Sequence, residues 1–150
     1  MPFKRILVPT DFGEPSRQAT DLAAELARKD GASLVLLHTC ELPAYTYPGM
    51  AMGMVDLLGS IEAVARKQLD GEVARVRALW PDTTALLKTG YPWQEILAAI
   101  DGAEADLVVM GTHGRHGLSH VLLGSVAEKI VRSSKVPVLT LRGVEAAKAA

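Results

Sequence analysis

The 150-residue chain is the size of one compact domain, and with 49% hydrophobic and 22% charged residues it has the material for a core, which excludes intrinsic disorder. A formal net charge of −1 argues against nucleic acid as the main partner, since a dedicated binder carries a basic excess. Cys40, the single cysteine, excludes an internal disulfide and a cysteine-based zinc site, and no apolar run reaches the roughly 20 residues of a membrane span.

The first strand is expected over residues 3–9, FKRILVP, whose near-continuous apolar run suits a strand covered on both faces. Its apolar run is too short for a secretory signal, so a soluble cytoplasmic protein is expected. A helix follows over 15–29, where Ala19, Leu22, Ala23, Leu26 and Ala27 keep helical spacing, Pro15 marks the start and Gly31 the end. The second strand is SLVLLHT, 33–39. Residues 41–59, ELPAYTYPGMAMGMVDLLG, read as a flexible insert. Its Met50, Met52 and Met54 with Tyr45 and Tyr47 suggest a mobile lid or an adaptable partner surface. From about Val55 to Trp80 an apolar stripe, Ile61, Ala65, Leu69, Val73, Val76 and Trp80, predicts a long helix. The third strand is TTALLKT, 83–89, the most polar of the five. Pro92 opens a short helix through Ile96, Leu97 and Ile100, the fourth strand is LVVMG, 107–111, and a last helix begins near Ser125. The fifth strand is VPVLTLR, 136–142.

Strands alternating with helices predict a single doubly wound α/β domain, a five-stranded parallel sheet with helices on both faces and strand order 3-2-1-4-5. In that order the carboxyl ends of strands 1 and 4 flank the switch point, where open α/β sheets bind ligands.

Two segments end there. After strand 4 stands GTHGRHGLSHVLLGS, with glycines at 111, 114, 117 and 124 that let backbone N–H groups approach a ligand. The helix beginning at Ser125 adds its free N–H groups and a hydroxyl, and Arg115, His113, His116 and His120 place positive charge nearby. The pattern fits a phosphate cradle; glycines also serve a long surface loop. After strand 1, Asp11 is placed to meet a ribose, a base or Mg²⁺, or to cap the following turn.

The spacing G-x2-G-x9-G-S, as Gly111, Gly114, Gly124 and Ser125, resembles the nucleotide-binding motif of the universal stress protein family. KRILVPTDF, SLVLLHT, DLVVMGTHGRHGLSHVLLGSVAEKIV and VPVLTLR extend the likeness over nearly the whole chain. The resemblance implies an adenine nucleotide alpha hydrolase-like fold and ATP (or ADP or AMP) as ligand, with Mg²⁺. Pro9, Thr10 and Asp11 would surround the adenosine and Thr39 the adenine. Met110, Gly111, Gly114, Gly124, Ser125 and Val126 would serve ribose and phosphates, joined by Arg115 and His116. The implied function is a nucleotide-dependent stress-response module reading out to a protein partner. The alternatives are a slow Mg-dependent ATPase or autophosphorylating enzyme, with Ser119 or Ser125 as acceptor, and a nucleotide-independent interaction module. No spacing singles out a catalytic base. The loop histidines lack the fixed frame of a metal site, His38 reads as a buried structural histidine, and Cys40 as a small apolar filler. The exposed apolar edge of strand 5 is expected to pair with a second copy in a homodimer.

Overall fold

In the computed structural model residues 1–41, 51–113 and 123–143 are described. The elements run β1 (Arg5–Pro9), α1 (Glu14–Asp30), β2 (Ser33–Cys40), α2 (Ala51–Arg77), β3 (Thr83–Thr89), α3 (Pro92–Gly102), β4 (Leu107–Gly111), α4 (Ser125–Ser133) and β5 (Val138–Leu141). The sheet is parallel with order β3-β2-β1-β4-β5, as the alternation of elements predicts.

Alternation along the central strands feeds two cores. Ile6, Val8, Leu34 and Leu36 face α1 and α2, which supply Ala19, Ala23, Leu69 and Val76. Leu7, Val35, Leu37, Val108 and Met110 face α3 and α4, which supply Ile96, Ile100, Ala127 and Ile130. Both faces of β1 are sealed, so its apolar run shows no polar alternation. Edge strand β3 is half-exposed along much of its length, which explains its polar sequence.

Local chemistry sets the ends of the elements. The expected first strand began at Phe3, but β1 begins at Arg5, because the Phe3 and Lys4 N–H groups donate to the Asp30 and Asp106 carboxylates instead of to a strand. Helix α1 closes on Gly31, whose left-handed backbone (φ 70°) lets its N–H reach the Ala27 carbonyl. Helix α2 starts at Ala51, so the latter part of the expected 41–59 insert is helix. The reason is periodicity: Met54, Leu58 and Ile61 continue backward the stripe that Ala65, Leu69, Val73 and Val76 bury. Residues 42–50, with Tyr45, Tyr47 and Met50, lie outside the described residues. At the far end α2 stops at Arg77, and the Trp80 indole donates to the Ala32 carbonyl at 2.8 Å. Strand β5 is shorter than the expected 136–142: Ser134 Oγ takes the Val136 N–H, and Pro137 has none to give. Among the described residues no helix is long and apolar enough to cross a membrane.

Candidate functional site

Where β1 and β4 end, the chain leaves the sheet in opposite directions, and a cleft of about 800 Å³ opens between the turns. Nine of the residues expected at a nucleotide site line it: Pro9, Thr10, Asp11, Thr39, Met110, Gly111, Gly124, Ser125 and Val126. Gly114, Arg115 and His116, like Gly117, Ser119 and His120, lie outside the described residues.

The β1–α1 turn is held by its own side chains. Asp11 Oδ1 accepts from the Gly13 N–H at 2.9 Å and from Ser16 Oγ at 2.7 Å, while Thr10 Oγ1 accepts from the Phe12 N–H at 3.1 Å. Asp11 thus caps the turn and lines the cleft at once; the two readings open in the sequence are not exclusive. Phe12 sits at φ 66°, a left-handed conformation that costs a non-glycine residue about 1 kcal/mol. Its ring rests 4.4 Å from the ring of His38.

The end of β2 carries an exposed piece of backbone. Ser33 N donates to Lys4 O at 2.9 Å and Leu37 O accepts from Thr10 N at 2.8 Å, so the odd residues of β2 turn their peptide groups toward β1. Leu34 N on Asp82 O and Gly90 N on Cys40 O show the even residues turned toward β3. Thr39 belongs to the first set, yet β1 pairs no further than Pro9 with Leu37. The next carbonyl in line, that of Thr10, accepts from His38 Nδ1 at 2.7 Å, and the next amide, that of Phe12, is taken by Thr10 Oγ1. Among the described residues nothing claims the N–H and C=O of Thr39, and they face the cleft side by side.

Across the cleft, Thr112 ties the glycine-rich segment at both ends: its N–H donates to Leu141 O at 3.0 Å and its carbonyl accepts from Gly124 N at 2.6 Å. Gly124 is the N-cap of α4 in extended conformation (φ −68°), and among the described residues no side chain bonds the first turn. Ser125, Val126 and Ala127 therefore bring uncapped N–H groups to the cleft wall, the positive end of the helix dipole. No lysine or arginine is among the described lining residues, so among them the pull on an anion comes chiefly from the peptide groups at the start of α4. The glycine at 111 has a packing reason beside the one expected. A Cβ there would lie 3.0 Å from Pro15 Cβ and 3.1 Å from its carbonyl carbon, so Gly111 lets α1 start close against β4.

His113, expected near the phosphates, lines the cleft as well, while several lining residues escaped the sequence reading: Ser16, Leu37, Glu41, Ile61, Pro92, Ile96 and Thr112. Ser16 had a local cue in its spacing from Asp11; Ile61 and Ile96 had none, because their helical stripes also serve the core. His38 is half-buried and lines the cleft, not enclosed as expected, because β2 outruns β1 at that point. Cys40 also lines the cleft; burial, then the charge of Glu62, push its thiol above the ordinary range against the pull of Arg66, so it is a poor nucleophile. The described residues gather no trio of metal-ligating side chains. Asp11 and Glu41 are the carboxylates among the described lining residues, and a Mg²⁺ held by them would need further oxygen ligands. A second groove of about 470 Å³, between α3 and the open face of β3, mixes Arg5 and Lys88 with Asp82 and Glu95 and contains no helix start.

The model of the universal stress protein family matches residues 2–142. A universal stress protein of Thermus aquaticus is 34% identical, the match covering 93% of this chain and 99% of the relative. The solved structure of universal stress protein UspA from Lactobacillus plantarum superposes with a TM-score of 0.85 at 25% identity, covering 95% of this chain and 99% of that one. Two more distant members share the fold at a TM-score of 0.67: a universal stress protein solved in complex with cAMP (23% identity, 96% and 100% covered), and one from Archaeoglobus fulgidus in complex with dAMP (20% identity, 95% and 100% covered).

Proposed function

The chain belongs to the universal stress protein family, and from that premise we propose that it binds an adenine nucleotide, ATP in the first place, in the cleft between β1 and β4, and works as a nucleotide-dependent regulatory module. The observation that carries this is the pairing, across one cleft, of an uncapped helix start with an unclaimed backbone donor and acceptor. The start of α4 suits phosphate. The N–H and C=O of Thr39 suit the edge of adenine, which offers a ring-nitrogen acceptor beside an amino donor. Apolar Ile61, Ile96, Pro92 and Met110 give the base a surface to pack on. That two family members were solved with cAMP and dAMP supports the class of ligand.

Within this reading Gly114, Arg115 and His116 complete the phosphate side, and Mg²⁺ enters with the nucleotide beside Asp11. A binding module is favoured over an efficient ATPase, since Asp11 Oδ1 is engaged by Gly13 and Ser16 in holding the turn. The protein is proposed to be a cytoplasmic homodimer paired through the edge of β5, where Leu139 is exposed, with a protein partner reading its nucleotide state. Calorimetry with ATP, ADP and AMP, together with mass spectrometry of small molecules released from the purified protein, tests the reading. Micromolar binding or co-purified adenine nucleotide is expected; affinity weaker than millimolar for all three would overturn it.

A further inference from the structure

The geometry points to His38 as the positioning residue that makes the site select its base. Resting on the nucleotide reading above, we infer that its ring keeps the β1–β2 ladder from closing over Thr39, so that the Thr39 N–H and C=O remain available to a nucleobase.

A carbonyl only accepts, so the 2.7 Å contact between His38 Nδ1 and Thr10 O requires the proton to sit on Nδ1. The parallel ladder predicts another taker for that carbonyl. Ser33 N bonds Lys4 O, and each further step moves two residues up both strands, so the bond after Thr10 N on Leu37 O would be Thr39 N on Thr10 O. The ring occupies that acceptor from the side. Its second contact, with the Phe12 ring at 4.4 Å, braces Phe12 in its left-handed conformation. The Phe12 N–H, which would next have reached the Thr39 carbonyl, is turned to Thr10 Oγ1 instead. One side chain thereby bears on both peptide groups of Thr39. The pair it leaves open, a donor beside an acceptor, matches adenine and opposes guanine, whose equivalent edge presents an N–H and a carbonyl in the reverse sense. His38 also lines the cleft, but its bearing on Thr39 runs through Thr10 and Phe12 and is one of orientation, not chemistry.

Two variants separate this from plain structural support. In His38→Asn the amide nitrogen stands where Nδ1 stood and keeps the bond to Thr10 O; in His38→Leu nothing does. The expected result for His38→Leu is a loss of about tenfold in ATP affinity with GTP affinity little changed, so that the preference for ATP over GTP shrinks by the same factor. His38→Asn is expected to retain most of that preference. Amide hydrogen exchange on the nucleotide-free protein gives a separate readout: the Thr39 N–H exchanges fast in the parent chain and at least about tenfold more slowly in His38→Leu, where it joins Thr10 O. A Thr39 amide equally protected in both, or an unchanged ATP-to-GTP ratio in His38→Leu while binding persists, would overturn the role of His38. A parent protein that binds neither nucleotide would overturn the nucleotide reading, and this inference with it, whatever the exchange data show.

Discussion

The two ends of the sheet are built from the same strands and treat their backbone in opposite ways. At the amino end side chains meet the peptide groups that lead into β1 and out of α3. Asp30 takes the Phe3 N–H, Asp106 takes those of Lys4 and Arg5, and Arg5 reaches the Ala103 carbonyl. At the carboxyl end side chains intercept the ladder instead of completing it, and among the described residues nothing takes the peptide groups of Thr39 or caps the start of α4. Unsatisfied peptide groups are costly when dry, so a fold leaves them in a cleft only where water or a ligand satisfies them. On the proposed reading the difference separates stability at one end from recognition at the other, and substitutions at the two ends should divide accordingly.

The largest expected effect is on recognition. Gly124 has an extended backbone that valine adopts without strain, so Gly124→Val should fold normally while its branched side chain shields the first N–H groups of α4. Nucleotide affinity is expected to fall about a hundredfold, close to 2.7 kcal/mol, with the melting temperature nearly unchanged. Titration calorimetry beside a thermal melt reads both. Equal losses in affinity and stability would dissolve the division between the ends.

The mirror experiment is Asp106→Ala. Its carboxylate holds the Lys4 and Arg5 N–H groups at 2.8 and 2.9 Å, and hydrogen bonds to a charged group are worth about 1.5–3 kcal/mol. A stability loss of about 2 kcal/mol is expected in chemical denaturation, with nucleotide affinity within a factor of two. A large affinity loss would show that the amino end reaches the cleft.

How far the sequence reveals this division depends on the range of the interaction. The strand order and the glycine-rich segment are legible because periodicity and spacing are local, and they place the cleft correctly between β1 and β4. The start of α2 is not legible by the same means: Met54 and Leu58 carry the stripe, but the glycines and methionines around them also fit a loop. Least visible is what arises between strands. That Thr39 is open while Leu37 is paired depends on β2 outrunning β1, a register that neither strand encodes alone. Gly111 shows the same limit, since its partner Pro15 lies on another element and no spacing rule connects them.

That contact gives a smaller effect lying between the two ends. In Gly111→Ala the new methyl would meet Pro15 at 3.0–3.1 Å, partly at its backbone, and α1 must yield by a few tenths of an ångström. Overpacking of this kind costs about 1 kcal/mol. Because α1 carries Ser16, which braces Asp11, a few-fold loss of nucleotide affinity should accompany the loss of stability. An affinity change without any stability change would mean that Gly111 serves the ligand directly.

The smallest effect sharpens what sealing the amino end is worth. Ser33 Oγ donates to Asp82 Oδ2 at 2.7 Å in an exposed setting, beside the more enclosed bond that Asp106 makes to the Arg5 N–H. Water replaces an exposed partner almost without cost, so Ser33→Ala should change stability by less than about 0.5 kcal/mol and leave nucleotide affinity alone. Asp106 and Ser33 then differ in effect while sharing a location, because one holds the chain's own peptide groups and the other a side chain that water can serve. A loss near that of Asp106→Ala would mean that closure of this end is cooperative, with each bond depending on its neighbours. Combining Ser33→Ala with Asp106→Ala in a double-mutant cycle measures that coupling directly.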